Sequence, residues 1–323
     1  MPCSEEPSAP PLQFTSDQVI QAVKSFQAGT APGPSGLRAQ HLKDLTSGRN
    51  MAPHIAANVI KALTKVVNLF ASGKAASGAA EYCAGANLFA ANKKDGGIRP
   101  IAVGDVMRRL VSKCFAYSLS DKAAELFAPL QLGTGVRGDC EAIVNTERSI
   151  IEDPHIPPQN KWLHQVNLKM AFHTPDGKVG FEEMRKHFPE ASRYVEYLYG
   201  CQAELVYGNT VIKSCRGGHQ GDPLYNLVFS VTLQPILLKI NSQVQGLRAN
   251  VSFFDDINEV GNKHALQHVM SILDKECPAI GLTLSTSRTV LPPKVSKTTV
   301  FCPGHDLSDV DPLGYGVRRV YVW

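Results

Sequence analysis

The sequence predicts an α+β fold in which β-hairpins alternate with helices, in one large domain or two intimate subdomains. Three observations carry this expectation. Apolar residues recur at helical spacing in several long windows. Short apolar runs flank polar or glycine-bearing turns at three places, which marks hairpins. With 43% hydrophobic and 19% charged residues in 323, the chain can bury a sizeable core.

Taken in order, Phe14 to Phe26 carries Val19, Ile20, Val23 and Phe26 at helical spacing behind the N-cap cluster Thr15-Ser16-Asp17, so a short first helix is expected. Ala28 to Gly36 holds two prolines and three glycines and must be a shaped loop. Ile55 to Phe70 places Val59, Leu63, Val66 and Phe70 on one face of a helix that ends near Ser72-Gly73. Asn87 to Ala91 and Arg99 to Val103 flank Lys93-Lys94-Asp95-Gly96-Gly97 as a hairpin with a charged tip. One helix is expected from Val106 to Phe127, stopped by Pro129. Ile151 to Asn160, with three prolines, reads as a loop.

Trp162 to Leu168 reads as a buried strand, followed by an irregular stretch to Gly180 and a helix from Phe181. Leu205 to Tyr207 and Thr210 to Ile212 make a second hairpin around Gly208-Asn209. Asp222-Pro223 reads as an N-cap and first-turn proline opening an apolar helix through Ile240, with Pro235 inside it. Val251 to Phe254 and Ile257 to Val260 bracket Asp255-Asp256, placing both acids at a turn. Lys263 to Cys277 is a further helix, and Leu282-Thr283-Leu284 is strand-like. Pro292 to Trp323 has too many prolines and glycines for a defined element.

Composition excludes several classes. The start, Met1 to Pro11, has neither the basic n-region and apolar h-region of a signal peptide nor the character of a transit peptide, and no apolar run is long and charge-free enough to span a bilayer. Eight scattered cysteines without a C-x-x-C pair suggest reduced thiols, hence an intracellular protein, cytoplasmic or nuclear and not secreted. His264 and His268 have i, i+4 spacing without the glutamate of a zinc-protease helix and read as a solvated face. The net charge of +4 favours nucleic acid only weakly, but Lys93, Lys94, Arg99, Arg108, Arg109 and Lys113 stand against Asp95 and Asp105 in one locally basic stretch.

An Asp-Asp pair at a hairpin is compatible with a solvated turn and with metal-assisted chemistry, in which oxygen ligands converge from neighbouring strand ends. The motifs around it decide between these. Ala31-Pro32-Gly33-Pro34-Ser35-Gly36-Leu37, Lys93 to Val103, Gln131-Leu132-Gly133, Asn167-Leu168-Lys169-Met170-Ala171-Phe172, His219-Gln220-Gly221-Asp222-Pro223-Leu224, Phe253-Phe254-Asp255-Asp256 and Gly281 to Arg288 follow one another in that order. Together they resemble the reverse transcriptase domain of non-LTR, LINE-type retrotransposons, in a degenerate copy, over about Gly29 to Leu291.

The resemblance implies reverse-transcriptase-like fingers and palm, the palm an antiparallel sheet packed on helices, with the thumb absent or truncated. It divides the chain into an N-terminal extension with a short helix (1–28), fingers and fingers-palm connection (29–160), a palm with the polymerase motifs (161–291) and an irregular tail or thumb remnant (292–323). It implies an RNA-directed DNA polymerase working on an RNA template, a primer/template duplex and dNTP with two Mg²⁺ ions. The metals would be held by Asp255, Asp256, position 167 and the Leu168 carbonyl. Lys94 and Arg99 would clamp the triphosphate, with Lys94 equally readable as a solvated charge. Phe172 would block a ribose 2′-hydroxyl, with a core phenylalanine as the competing reading. Gln220 and Gly221 would lie under the template base pair, and Arg288 stands where the family has lysine. The chain is expected to be a fragment of a longer polyprotein, without an endonuclease segment.

One departure weighs most. Position 167 is aspartate in the family and asparagine here, so a neutral oxygen stands where two divalent cations need charge. At an effective dielectric of about 20, a unit charge at ~4 Å contributes roughly 4 kcal/mol as a ceiling, and part of that predicts a rate loss on the order of a hundred- to thousandfold. Met170 and His173 also replace family asparagines, and Asp176 lies too far past the strand end to substitute. Impaired polymerase and non-catalytic nucleic-acid-binding relic or domesticated palm are the two expectations, with a translated pseudogene product as a third.

Overall fold

The computed structural model describes residues 6–48, 52–92, 96–286, 297–303, 311, 313–315 and 317–319. In chain order the elements are helices α1 (Ser16–Lys24), α2 (Ala39–Ser47), α3 (Pro53–Ala71) and α4 (Ser77–Ala84), strands β1 (Ala86–Asn92) and β2 (Ile98–Gly104), helices α5 (Val106–Ser118), α6 (Ser120–Phe127) and α7 (Asp139–Glu152), and strand β3 (Trp162–Asn167). Then come α8 (Gly177–His187), α9 (Pro189–Tyr199), the pair β4 (Ala203–Tyr207) and β5 (Thr210–Ser214), α10 (Tyr225–Gln243), the pair β6 (Leu247–Phe253) and β7 (Asp256–Gly261), α11 (Lys263–Ala279), β8 (Thr299–Phe301) and β9 (Arg318–Arg319). The fold is α+β with largely antiparallel sheets. No helix among the described residues is long and apolar enough to cross a membrane.

The chain forms two compact units, Met1–Leu119 with Gly177–Val228, and Ser120–Asp176 with Phe229–Trp323. These follow contacts, whereas the four linear segments follow motifs, and the two divisions cut the chain at different places.

In the first unit, Thr15 caps α1 through a reciprocal box with Gln18, which satisfies two backbone donors that the helix cannot. Val19 and Val23 of α1, Val67 of α3 and Leu110 of α5 form the core, joined by Phe14 edge-on to Phe115 at 5.0 Å and Phe115 stacked on Tyr194 at 5.1 Å. The four-stranded sheet runs β2-β1-β4-β5, antiparallel within each hairpin and parallel between β1 and β4. The Pro-Gly loop is shaped by contact with the start of α5. Ser35 Oγ donates to the Asp105 carboxylate, Arg109 Nη2 donates to the Ala31 carbonyl at 2.6 Å, and a Cβ at Gly33 would lie 2.4 Å from Asp105 Cα. Only glycine allows that approach.

In the second unit a five-stranded sheet runs β6-β7-β3-β8-β9. Leu233, Leu237 and Ile240 of α10, Ile257 of β7, and Leu266, Val269, Met270 and Leu273 of α11 are buried, and Val260 on the other face of β7 packs with Leu163 and Ala249 against Ile150 and Ile151 of α7. The tail is not featureless. β8 pairs antiparallel with β3, and β9 pairs parallel with β8, so part of 292–323 completes this sheet. The apolar alternation of Thr299-Val300-Phe301 was too short to stand out beside the surrounding prolines.

Other expectations need correction. Val106 to Phe127 is two helices, α5 and α6, separated at Leu119 (φ −101°, ψ 0°). The helix expected to open at Asp222 begins at Tyr225, after a turn in which Asp222 Oδ1 accepts from the Leu224 N–H while Oδ2 accepts from Arg108. Leu282 to Leu284 makes an isolated bridge from Leu284 to Leu168 rather than a strand.

Candidate active site

The second unit brings two of the expected ligands face to face. β3 and β7 pair antiparallel with Asn167 opposite Asp256 and Gln165 opposite Asn258, so these four side chains share one face of the sheet. Asn167 faces Asp256 across this pair and favours the charged form of its carboxyl. Asp256 is the first residue of β7 and not part of the turn, since Phe253 pairs with Asp256 and leaves Phe254-Asp255 as a two-residue connection. Asp255 therefore occupies the tip, half-buried, one residue from Asp256.

That connection is strained and clasped. Phe254 has φ 52°, the left-handed region, which costs a bulky residue about 1–3 kcal/mol. Fully buried Gln131 holds it from both sides: its Oε1 accepts from the Phe254 N–H at 2.8 Å, and its Nε2 donates to the Phe254 carbonyl at 3.1 Å. Gln131 was recognised only as part of a motif, without a chemical task. Its role could be found only once the backbone of Ser252 was seen to bond Leu130 and Leu132 on either side of it. Phe254 also packs edge-on against Phe253 (4.7 Å) and Phe172 (6.0 Å), and Phe172 stacks on Phe229 at 4.8 Å. The half-buried ring of Phe172 thus packs beside the hairpin.

The strand end is braced from the far side of the sequence. The Asn167 carbonyl accepts from the Ser285 N–H at 2.8 Å, Lys169 N–H donates to the Thr283 carbonyl at 2.7 Å, and Asn167 N–H donates to Thr298 Oγ1 at 3.2 Å. Leu168 is buried and bridged to Leu284. Beyond it Met170 has φ 52° with its side chain exposed. Asparagine tolerates this region better than methionine. Met170→Asn is expected to raise the urea unfolding midpoint, by about 0.5–1 kcal/mol in stability, with unchanged cooperativity.

An open groove of about 420 Å³ lies along this face, with Cys140, Ile143, Val144 and Glu147 of α7 on one wall and Gln165, Asn167, Asp256, Asn258, Lys297 and Thr299 on the other. The helix α7 was not foreseen. Partial burial in the groove raises the Glu147 carboxyl above its ordinary range. It also raises Asp256, with the Asn167 hydrogen bond working the other way, although Asp256 as a whole residue is exposed. The sign follows: a carboxyl held above 3.8 when folded stabilises the fold below that pH, and the benefit is lost as pH rises through the folded value. Asp256→Asn should therefore exceed the parent in urea midpoint at pH 7, with the gap closing below pH 4. A gap that widened on acidification would contradict this.

Two magnesium ions do not fit this donor set. The hairpin supplies two carboxylates, position 167 supplies a neutral amide, and no cluster of three His, Cys, Asp or Glu able to hold a metal occurs among the described residues. Asp176 is exposed, its N–H bonded to the Ile280 carbonyl, and it does not line the groove. His264 and His268 are exposed on α11.

The remaining expected site residues belong to the first unit or lie outside the described residues. Arg99 is exposed on β2 opposite Ala91. Gln220 is half-buried and Gly221 is exposed at φ 107°, a conformation that favours glycine. Lys94 and Arg288 lie outside the described residues. No model of a known protein family matches the chain, and no curated protein matches it.

Proposed function

We propose that this chain is a reverse-transcriptase-type nucleotidyltransferase domain from a non-LTR retrotransposon, with its polymerase chemistry strongly impaired by Asn167. The observation that carries the reading is the pairing of Asn167 with Asp256 beside the Phe254-Asp255 turn, which puts the two motifs that resemble the catalytic motifs of that family on adjacent strands. The placement of Gly281 to Ser285 against the Asn167-Leu168 strand end supports it, as does the use of Gln131 to hold the turn. In this reading RNA template, primer/template duplex and dNTP are the partners, Arg99 and Lys94 meet phosphate, and Gln220-Gly221 meets the template base pair.

The donor set favours a second reading, a non-catalytic relic or domesticated palm that holds nucleic acid. Primer extension on an RNA template separates the two. The parent is expected to extend at or near background, and Asn167→Asp is expected to extend. Robust extension by the parent would refute impairment. Failure of both to extend, with salt-dependent duplex binding retained, would leave the binding reading alone standing.

A further inference from the structure

A buried polar cluster in the first unit has no part in the chemistry above. The side chains of Arg108 on α5 and Asp222 are 1% and 2% exposed, and His219 is 5% exposed. Arg108 Nε donates to Asp222 Oδ2 at 2.6 Å, and its Nη1 donates to the Ala84 carbonyl and lies against His219 Nδ1, both at 2.9 Å. A guanidinium has donors only, so His219 Nδ1 must accept, which requires a neutral imidazole with its proton on Nε2. The Asp222 N–H in turn donates to the His219 carbonyl at 3.0 Å, and Asp222 Oδ1 accepts from the Leu224 N–H at 3.0 Å. One cation therefore ties both ends of the turn whose middle residues are Gln220 and Gly221.

We infer that Arg108 is the positioning residue for the Gln220-Gly221 turn, and that protonation of His219 releases the turn, weakening its hold on a nucleic-acid duplex as pH falls. The duplex as partner rests on the function proposed above; the switch itself rests on the cluster. A protonated imidazole would lose its acceptor and set a second cation 2.9 Å from the first. Asp222 is already paired with Arg108, Asp105 at the start of α5 receives Ser35, and Arg216 beyond β5 is itself a cation. Burial pushes the Cys83 thiol of α4 up to about 11 and raises Cys201, and it raises the Tyr194 and Tyr199 phenols of α9, so these stay neutral near pH 7. Cys215 lies at the rim. Histidine is the group whose charge changes in the relevant window.

The test uses the full chain and its His219→Gln variant, in which the amide oxygen can accept from Arg108 at any pH. Affinity for a labelled RNA/DNA duplex is read by anisotropy at pH 7.5 and 5.5, and amide hydrogen exchange is read across 217–224 with the intrinsic pH dependence removed. Acidification should weaken parent binding and speed exchange at Gly221 and Asp222 by about tenfold relative to the variant, one pK unit of linkage. Matching exchange profiles in parent and variant would overturn the inference. Should neither bind duplex at either pH, the assignment of the partner fails while the exchange comparison still decides the switch. If the variant does not fold, imidazole nitrogen NMR on the parent decides: Nδ1 must be unprotonated at pH 7.5, and a proton there overturns the proposal.

Discussion

Asn167→Asp is expected to raise primer extension on RNA by about a hundredfold or more, because it returns a unit charge to a position where part of roughly 4 kcal/mol of interaction is at stake. The same substitution places two carboxylates on directly paired residues of β3 and β7, where the parent pairs an amide with a carboxylate. Without divalent metal the variant should unfold at a lower temperature than the parent, since like charges directly opposite one another on a sheet repel. Magnesium should reverse that loss in the variant and leave the parent's thermal midpoint nearly unchanged, because only the variant would bind the ion and so gain stability by mass action. Equal magnesium responses in the two proteins would remove the argument that residue 167 decides metal binding. A magnesium-stabilised variant that fails to extend would show that more than one residue has been lost.

Arg108→Met is expected to destabilise the chain by about 3–5 kcal/mol, the cost of leaving one partner of a buried ion pair without the other. Burial disfavours the charge of Arg108, but Asp222, Tyr199 and Tyr194 more than offset this and hold the guanidinium protonated. Removing it strands the Asp222 carboxylate, which is 2% exposed and then retains only its bond from the Leu224 N–H. Combining Arg108→Met with Asp222→Leu should recover much of the loss, since the uncompensated charge is then gone. Urea unfolding of the two variants and the parent measures both effects. A double variant as unstable as the single one would mean that packing, not charge, accounts for the cost.

Much of the scaffold was legible because local chemistry specified it. The Thr15 cap with Gln18, the hairpin at Asn87 to Val103, the Gly208-Asn209 turn and the strand at Trp162 each depend on residues within a few positions of one another. Elements without such local signals were missed. The helix α7 begins after Gly138 with no side-chain cap and carries Ile143 as its buried residue, so its periodicity is faint. The strand β8 is three residues long and acquires its meaning only beside β3. The Asp222-Pro223 pair was legible as a cap, since Asp222 accepts from the Leu224 N–H, but its second partner, Arg108, is 114 residues away and no local window contains it.

By itself the sequence determined the alternation of hairpins and helices, the order of the motifs and the neutral asparagine at position 167, since these depend on residue identity and short-range spacing. Only the tertiary structure decided that Asn167 pairs with Asp256 rather than with the tip residue Asp255, that Gln131 clasps Phe254, and that His164 meets Glu259 at 2.9 Å inside the sheet's core. Strand register fixes such pairs, and a shift of one residue would turn every side chain to the opposite face. Register is set by how the whole apolar face packs, a cooperative property of the folded chain that no local window contains.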